Sequence, residues 1–165
     1  MAVDAIFEYC GIKEDNFPPV YKVVAQDPSS ESSSKTAHAW LRNCLETHES
    51  CNESTNSNPP KRLIRVGNDD QDPVLVETAS IAQQTRWAAL SYCWGGEPSK
   101  KLGMKTMSEL QNGVALNEFD PAIRDAILVT RALGLVYIWI DALCVIQDKN
   151  SGEWNEEASR MNDIY

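Results

Sequence analysis

The chain of 165 residues is 42% hydrophobic, which is enough for one globular domain with a buried core. Its net charge of -9 argues against binding to nucleic acid or to an anionic membrane surface, because like charges repel. No apolar run reaches the roughly 20 residues of a membrane-spanning helix, the opening segment lacks the basic start of a secretory signal, and irregularly spaced cysteines favour reduced thiols. We therefore expect a soluble cytoplasmic protein with no membrane span that does not bind nucleic acid.

Residues 1–35 have the composition of a flexible N-terminal region. They mix a few apolar positions with the pair Pro18-Pro19 and with the serine-rich stretch 27–34. Such a composition buries too little apolar surface to offset the entropy lost on ordering. We therefore predict that the serine-rich stretch is a flexible linker.

Residues 36–86 carry the pattern of an amphipathic helix followed by a β-hairpin. Apolar side chains recur with helical spacing, and the helix is expected to end near Glu49. The apolar face consists of Ala37, Trp40, Leu41, Cys44, Leu45 and His48. After a loop over residues 53–60, two β-prone runs, Arg62–Val66 and Val74–Thr78, flank a turn-rich segment. These two runs predict the hairpin.

The segment that begins at residue 87 has the signals of a strand, a helix and a second strand. Trp87–Trp94 is mostly apolar, which predicts a buried strand. Asp120 suits the N-cap of a helix, Pro121 its first turn and Gly134 its C-terminal end. Leu135–Ile140 is continuously apolar, as expected for a strand covered on both faces. Together these signals predict a βαβ unit with parallel strands.

Several sequence blocks of this segment, in the same order, resemble the fungal HET (heterokaryon incompatibility) domain. The resemblance covers Trp87 to Tyr165 and includes a Trp-x-x-Glu pattern at Trp154 and Glu157. The other blocks are Ala89–Gly95, Ile123–Ile127, Leu133–Leu135, Tyr137–Asp148 and Met161–Tyr165. The resemblance implies a role in non-self recognition and programmed cell death in filamentous fungi, through protein partners or self-association.

The resemblance also implies an α/β fold. HET domains have been compared with TIR domains, so we expect part of a TIR-like or flavodoxin-like parallel sheet with flanking helices, preceded by the helix and hairpin of residues 36–86. Members of the family usually continue through further strands. On that basis residues 87–165 are the N-terminal part of a truncated domain whose sheet is incomplete at the C-terminus. An inactive truncated fragment is therefore one alternative to a cell-death module.

Glu157 is the first candidate catalytic residue. On a helix from Trp154 to Tyr165 it falls within an apolar stripe. Burial of a carboxylate there is unfavourable unless it has an ion-pair partner or a functional role. By analogy with TIR domains, it resembles the glutamate of an NAD-cleaving glycohydrolase, for which NAD is the substrate and no cofactor is needed. The structural alternative is a position at the edge of the stripe that reaches water, with one of three arginines as an ion-pair partner. Those arginines are Arg124, Arg131 and Arg160.

Asp141 is the second candidate catalytic residue, because it follows a strand that is apolar throughout. The carboxyl ends of parallel strands meet at one edge of a sheet, and open α/β sheets place ligand sites on that edge. The candidate pocket residues are Ser91, Tyr92, Cys93, Trp94 and Trp154. The alternative is that Asp141 caps the turn or helix that begins at Ala142.

The cysteines do not predict a metal site or a nucleophile. Cys44, His48 and Cys51 offer three ligands at local spacing, whereas a structural zinc site normally has four. The first two also lie on the apolar face of the helix, which favours packing. Cys93 and Cys144 are interpreted as packed small hydrophobic residues, since no histidine lies near them in the sequence.

Overall fold

The computed structural model describes residues 27, 29–49, 59–82, 85–148 and 152–165. Their helices and strands, in chain order, are α1 (Glu31–Thr47), β1 (Arg62–Arg65), β2 (Val74–Glu77), β3 (Trp87–Leu90), α2 (Met107–Asn112), α3 (Pro121–Ala132), β4 (Tyr137–Ile140), α4 (Asp141–Cys144), α5 (Glu153–Ser159) and α6 (Met161–Ile164). Short 3-10 turns cover Thr78–Ser80 and Leu116–Glu118. The predictions for residues 1–26, for most of the 53–60 loop and for Cys51 lie outside the described residues.

The four strands form one mixed sheet in the order β2-β1-β4-β3. β1 is antiparallel to β2 and to β4, and β3 is parallel to β4. The α/β class, the hairpin and the parallel pair of the βαβ unit are therefore confirmed. The hairpin, however, is part of the same sheet as the βαβ unit, where the sequence predicted a parallel sheet with the hairpin ahead of it. Ile64 of β1 pairs directly with Ile138 of β4, which buries both side chains.

β4 and α3 form the centre of the core as predicted. Ile138, Trp139 and Ile140 are at most 2% exposed, and Ile123 and Ile127 of α3 are fully buried. These residues pack with the apolar side chains of β1 in one hydrophobic cluster. The predicted strand covered on both faces is thus confirmed for Ile138–Ile140, whereas Val136 of the same apolar run is 52% exposed.

The ends of α3 match the sequence signals in position, although Asp120 acts differently from the prediction. Pro121 occupies the first turn, and Gly134 has a φ of +72°, a left-handed conformation that glycine adopts without strain. The Asp120 carboxylate does not cap the helix. It accepts hydrogen bonds from the backbone N–H of Ser99, at 2.9 Å, and from the Ser99 hydroxyl. Asp120 therefore ties the loop before α2 to the start of α3.

β3 is not the buried strand that its apolar sequence predicted. All four residues of Trp87–Leu90 are only partly buried. The reason is its place in the sheet, because among the described strands β3 pairs only with β4 and forms an edge. An apolar run alone does not distinguish an edge strand from a central one.

α1 begins earlier than predicted, and this corrects the linker prediction for the second half of the serine-rich stretch. The helix starts at Glu31, and the Ser30 hydroxyl accepts a hydrogen bond from the Ser33 backbone N–H at 3.3 Å. Serine is a preferred N-cap, so the same composition that suggests a linker also starts a helix. α1 contacts α3, but none of its residues is fully buried and Trp40 remains 48% exposed. Its predicted apolar face is thus only half covered.

Within the part of the chain that the structure describes, no helix has both the length and the apolar composition to cross a membrane. The division into segments 1–35, 36–86 and 87–165 stays a prediction.

Candidate functional site

A cleft of about 320 Å³ lies at the carboxyl edge of the parallel strands β3 and β4. Asp141 follows β4 directly, Trp94 follows β3, and α5 and α6 close the opposite side. The cleft is lined by Trp94, Asp141, Val145, Gln147, Trp154, Ala158 and Met161. Three of the residues that the sequence singled out, Trp94, Asp141 and Trp154, therefore share one site.

Asp141 lines the cleft and is the first residue of α4, where Ile140 rather than Asp141 occupies the N-cap, so its role in ligand binding or catalysis stays a prediction. The Trp94 indole N–H donates to Oδ2 at 3.0 Å and lies 3.2 Å from Oδ1. The Ala142 backbone N–H donates to Oδ1 at 2.7 Å. Burial raises the pKa of Asp141 above its ordinary value, and these two donors oppose the rise. The hydrogen bonds thus hold the carboxylate in a fixed position, while burial disfavours its ionised form.

Replacing Asp141 by asparagine should stabilise the protein relative to wild type by a margin that grows with pH. A carboxyl whose pKa is raised by folding contributes stability below its unfolded pKa and loses it as the pH rises through the folded value. Asparagine does not titrate and keeps an acceptor for the N–H groups of Trp94 and Ala142. Urea unfolding of both proteins between pH 4 and pH 8 measures the margin, and a margin that is constant with pH would contradict the prediction.

The remaining predicted pocket residues do not line the cleft, although Tyr92 lies near it. Its hydroxyl is buried without a hydrogen-bond partner among the described residues. Burial, followed by the negative charge of Asp141, raises the pKa of Tyr92, so this phenol stays protonated. Ser91 and Cys93 are exposed to solvent.

The two cysteines after the strands differ from each other. Cys144 is fully buried as predicted, and burial raises its pKa to about 12, which keeps the thiol protonated and unreactive. Cys93 is exposed, so its interpretation as a packed hydrophobic residue is wrong. It follows the end of an edge strand, where little of the fold covers it.

Glu157, the first candidate catalytic residue, lies on α5 and is not among the residues that line the cleft. Its side chain is 0% exposed, and Oε1 accepts a hydrogen bond from the Arg160 guanidinium at 3.2 Å. Oε2 is buried and has no hydrogen-bond partner among the described residues. Arg160 is one of the three arginines that the sequence named, whereas the predicted access of Glu157 to water is wrong. Helix α5 ends at Ser159 and α6 begins at Met161, so the predicted stripe is split between two short helices.

An ion-pair cluster that the sequence analysis missed joins the hairpin to α5. Arg62 of β1 is 7% exposed and contacts both carboxylate oxygens of Glu153, at 2.5 and 2.9 Å. Beside it, Lys61 contacts Glu156 at 2.6 Å. The sequence shows a basic pair in one segment and glutamates at helical spacing in another. Such a pattern does not reveal which basic residue pairs with which glutamate. The cluster fixes α5, and therefore one wall of the cleft, against the sheet.

Gln147 lines the cleft, although the sequence did not indicate it as a site residue. Its side-chain amide donates to the backbone carbonyls of Asp141 and Val145, at 3.0 and 2.9 Å. Its backbone N–H also donates to the Leu102 carbonyl at 2.8 Å. Gln147 thus holds the loop after α4 in the shape that forms the floor of the cleft.

Among the residues that the structure describes, no group of three histidine, cysteine or acidic side chains could hold a metal ion. Cys44 is half-buried on α1, His48 is exposed directly after that helix, and Cys51 lies outside the described ranges.

Comparison with known proteins gives one finding. Residues 87–165, which contain β3, β4 and every residue that lines the cleft, match the family model described as "Heterokaryon incompatibility protein (HET)". No curated protein and no solved structure matches the chain. The match confirms the family resemblance for this segment, which is consistent with a partial HET domain, while the comparison with TIR and flavodoxin-like domains stays a prediction.

Proposed function

We propose, from the place of residues 87–165 in the heterokaryon incompatibility family, that the chain is a signalling module of fungal non-self recognition and programmed cell death. The family match is the observation that carries this proposal. It covers the parallel strands and the whole cleft, so the part of the fold able to bind another molecule is the part that the family shares. The module acts in the cytoplasm through protein partners or self-association.

Two surface features support association with a partner. β3 forms an edge of the described sheet, and an edge strand is a place where a further strand can pair. In addition, three apolar side chains at α3 and the turn after it are 42 to 57% exposed. They are Leu128, Val129 and Val136, of which the first two are adjacent in the chain. Exposed apolar patches often mark protein interfaces.

Induced expression of the 165-residue chain in a filamentous fungus tests the proposal. We expect viability to fall by at least about tenfold, as for a module that triggers cell death. A Trp139→Ala variant is the control, because loss of this core indole should strongly destabilise the fold and so reduce the killing. The proposed role would be overturned if cells that express the wild-type chain, at the same protein level as the control, kept their viability.

NAD cleavage through Glu157 is the second candidate function. It is supported by Oε2 of Glu157, which is buried and has no hydrogen-bond partner within the described part of the chain; Glu157 precedes the cleft residue Ala158 in sequence. Because Glu157 has no exposure, a substrate reaches it only after α5 moves away from the sheet. NAD measured in the same cells, and with the purified chain, reads out this activity. Equal consumption by wild type and Glu157→Gln, or none by wild type, removes this candidate.

A further inference from the structure

We infer that the cleft between Trp94 and Trp154 binds an organic ammonium ion that carries methyl groups. The binding site does not depend on the proposed role in cell death. It follows from the residues of the wall, which combine a carboxylate with two indoles and apolar side chains.

The charge and the aromatic groups of the cleft favour a cation. Asp141 is the one ionisable side chain among the lining residues, so the wall is negative. Trp94 and Trp154 add two indoles, and indole is the aromatic ring that attracts cations most strongly. The net charge of -9 adds a long-range attraction for cations and repels anionic ligands.

The same wall is poorly suited to a metal ion or another strongly hydrated cation. Such ions need several oxygen ligands, whereas both oxygens of Asp141 already accept hydrogen bonds from Trp94, and Oδ1 also accepts one from Ala142. The side-chain amide N–H groups of Gln147 are bound to backbone carbonyls. A methylated ammonium ion holds its water weakly and needs no such ligands, so it is the cation that this site accommodates.

The other lining residues and the size of the cleft match methyl groups. Val145, Ala158 and Met161 offer apolar contacts to a cation whose charged nitrogen is covered by methyl groups. A volume of about 320 Å³ lies at the small end of ligand sites. Trp154 is 51% exposed, so the cleft has an open side. The ammonium group belongs either to a small molecule or to a methylated lysine side chain of a partner, and both present the same chemistry.

Titration of the purified 165-residue chain, followed by calorimetry and by amide NMR shifts, tests this site. The probes are choline, acetylated trimethyllysine amide and dimethylbutanol, which is the neutral carbon isostere of choline. We expect both cations to bind about tenfold or more tightly than the isostere, as a cation-aromatic interaction requires. Tighter binding of choline assigns the site to a small molecule, and tighter binding of trimethyllysine assigns it to a partner protein. Equal affinity for choline and its isostere overturns the inference.

Two variants locate the binding, with one matched control. Trp154→Ala and Asp141→Asn should each weaken choline binding about tenfold. Trp40→Ala removes a tryptophan of similar exposure from α1, away from the cleft, and should leave the affinity unchanged. Near-ultraviolet circular dichroism shows that each variant keeps its fold. If Trp154→Ala binds choline as tightly as Trp40→Ala does, the cleft is not the site.

Discussion

Replacing Glu153 by glutamine is expected to lower the free energy of unfolding by about 3 kcal/mol. Arg62 is 7% exposed, and two of its guanidinium nitrogens contact the two oxygens of Glu153. The change leaves a buried cation without its counterion, which costs more than the ion pair itself contributes. It also loosens α5, which forms one wall of the cleft. Urea unfolding followed by far-ultraviolet circular dichroism measures the loss.

Glu156→Gln on the same helix is the matched control. Its partner Lys61 is 36% exposed and Glu156 itself 61% exposed, so this pair is screened by water and its loss should cost less than about 1 kcal/mol. Arg62 holds the pKa of Glu153 below its ordinary value, chiefly by hydrogen bonding. The stability that Glu153 contributes is therefore present above its unfolded pKa and is lost as the pH falls through the folded value. Equal losses for the two variants at neutral pH would contradict the assignment.

Replacing Trp139 by alanine is expected to cost about 4 kcal/mol, which is a large part of the stability of a small domain. Trp139 is 0% exposed in the middle of β4, and its ring meets that of Tyr165 edge to face with 5.5 Å between the centroids. Removing the indole opens a cavity between the sheet and the C-terminal residues. The loss is measured by urea unfolding or by a fall in the melting temperature.

Trp154→Ala is the control for this change, because it removes the same side chain from a position that is 51% exposed. It should cost less than about 1 kcal/mol. The two variants are thus expected to affect different properties. Trp139→Ala lowers stability because Trp139 is in the core, whereas Trp154→Ala weakens binding because Trp154 lines the cleft. A similar loss of stability for both variants would show that the C-terminal residues do not pack on the sheet as described.

The cleft was in large part predictable from the sequence. Asp141 follows one apolar run and Trp94 ends another, and parallel strands place their carboxyl ends at one edge. That rule brought together two residues that are 47 positions apart and now share a hydrogen bond. Trp154 entered the prediction through the family motif, and the structure places it on the same cleft. Gln147 was missed, because a polar residue in a loop has no periodicity that reveals what its side chain contacts.

The surroundings of Glu157 were only partly predictable. Helical spacing placed it on an apolar stripe, and the structure buries it completely. The spacing did not show that the helix ends at Ser159 and that a second helix begins at Met161, so that Glu157 lies on the first of two short helices. It also did not show that Arg62 of β1 lies near enough for the charge of Glu157 to raise the pKa of that guanidinium. The second fact depends on two chain segments that lie far apart in the sequence.

Several local elements were predictable from the sequence, because caps and apolar periodicity act within a few residues. Pro121 and Gly134 mark the ends of α3, and Leu135–Ile140 contains the central strand. Only the tertiary structure decided that the hairpin joins that strand and that β3 forms an edge. Strand order depends on which distant surfaces bury the most apolar area and satisfy the most backbone hydrogen bonds, and no local pattern encodes that comparison.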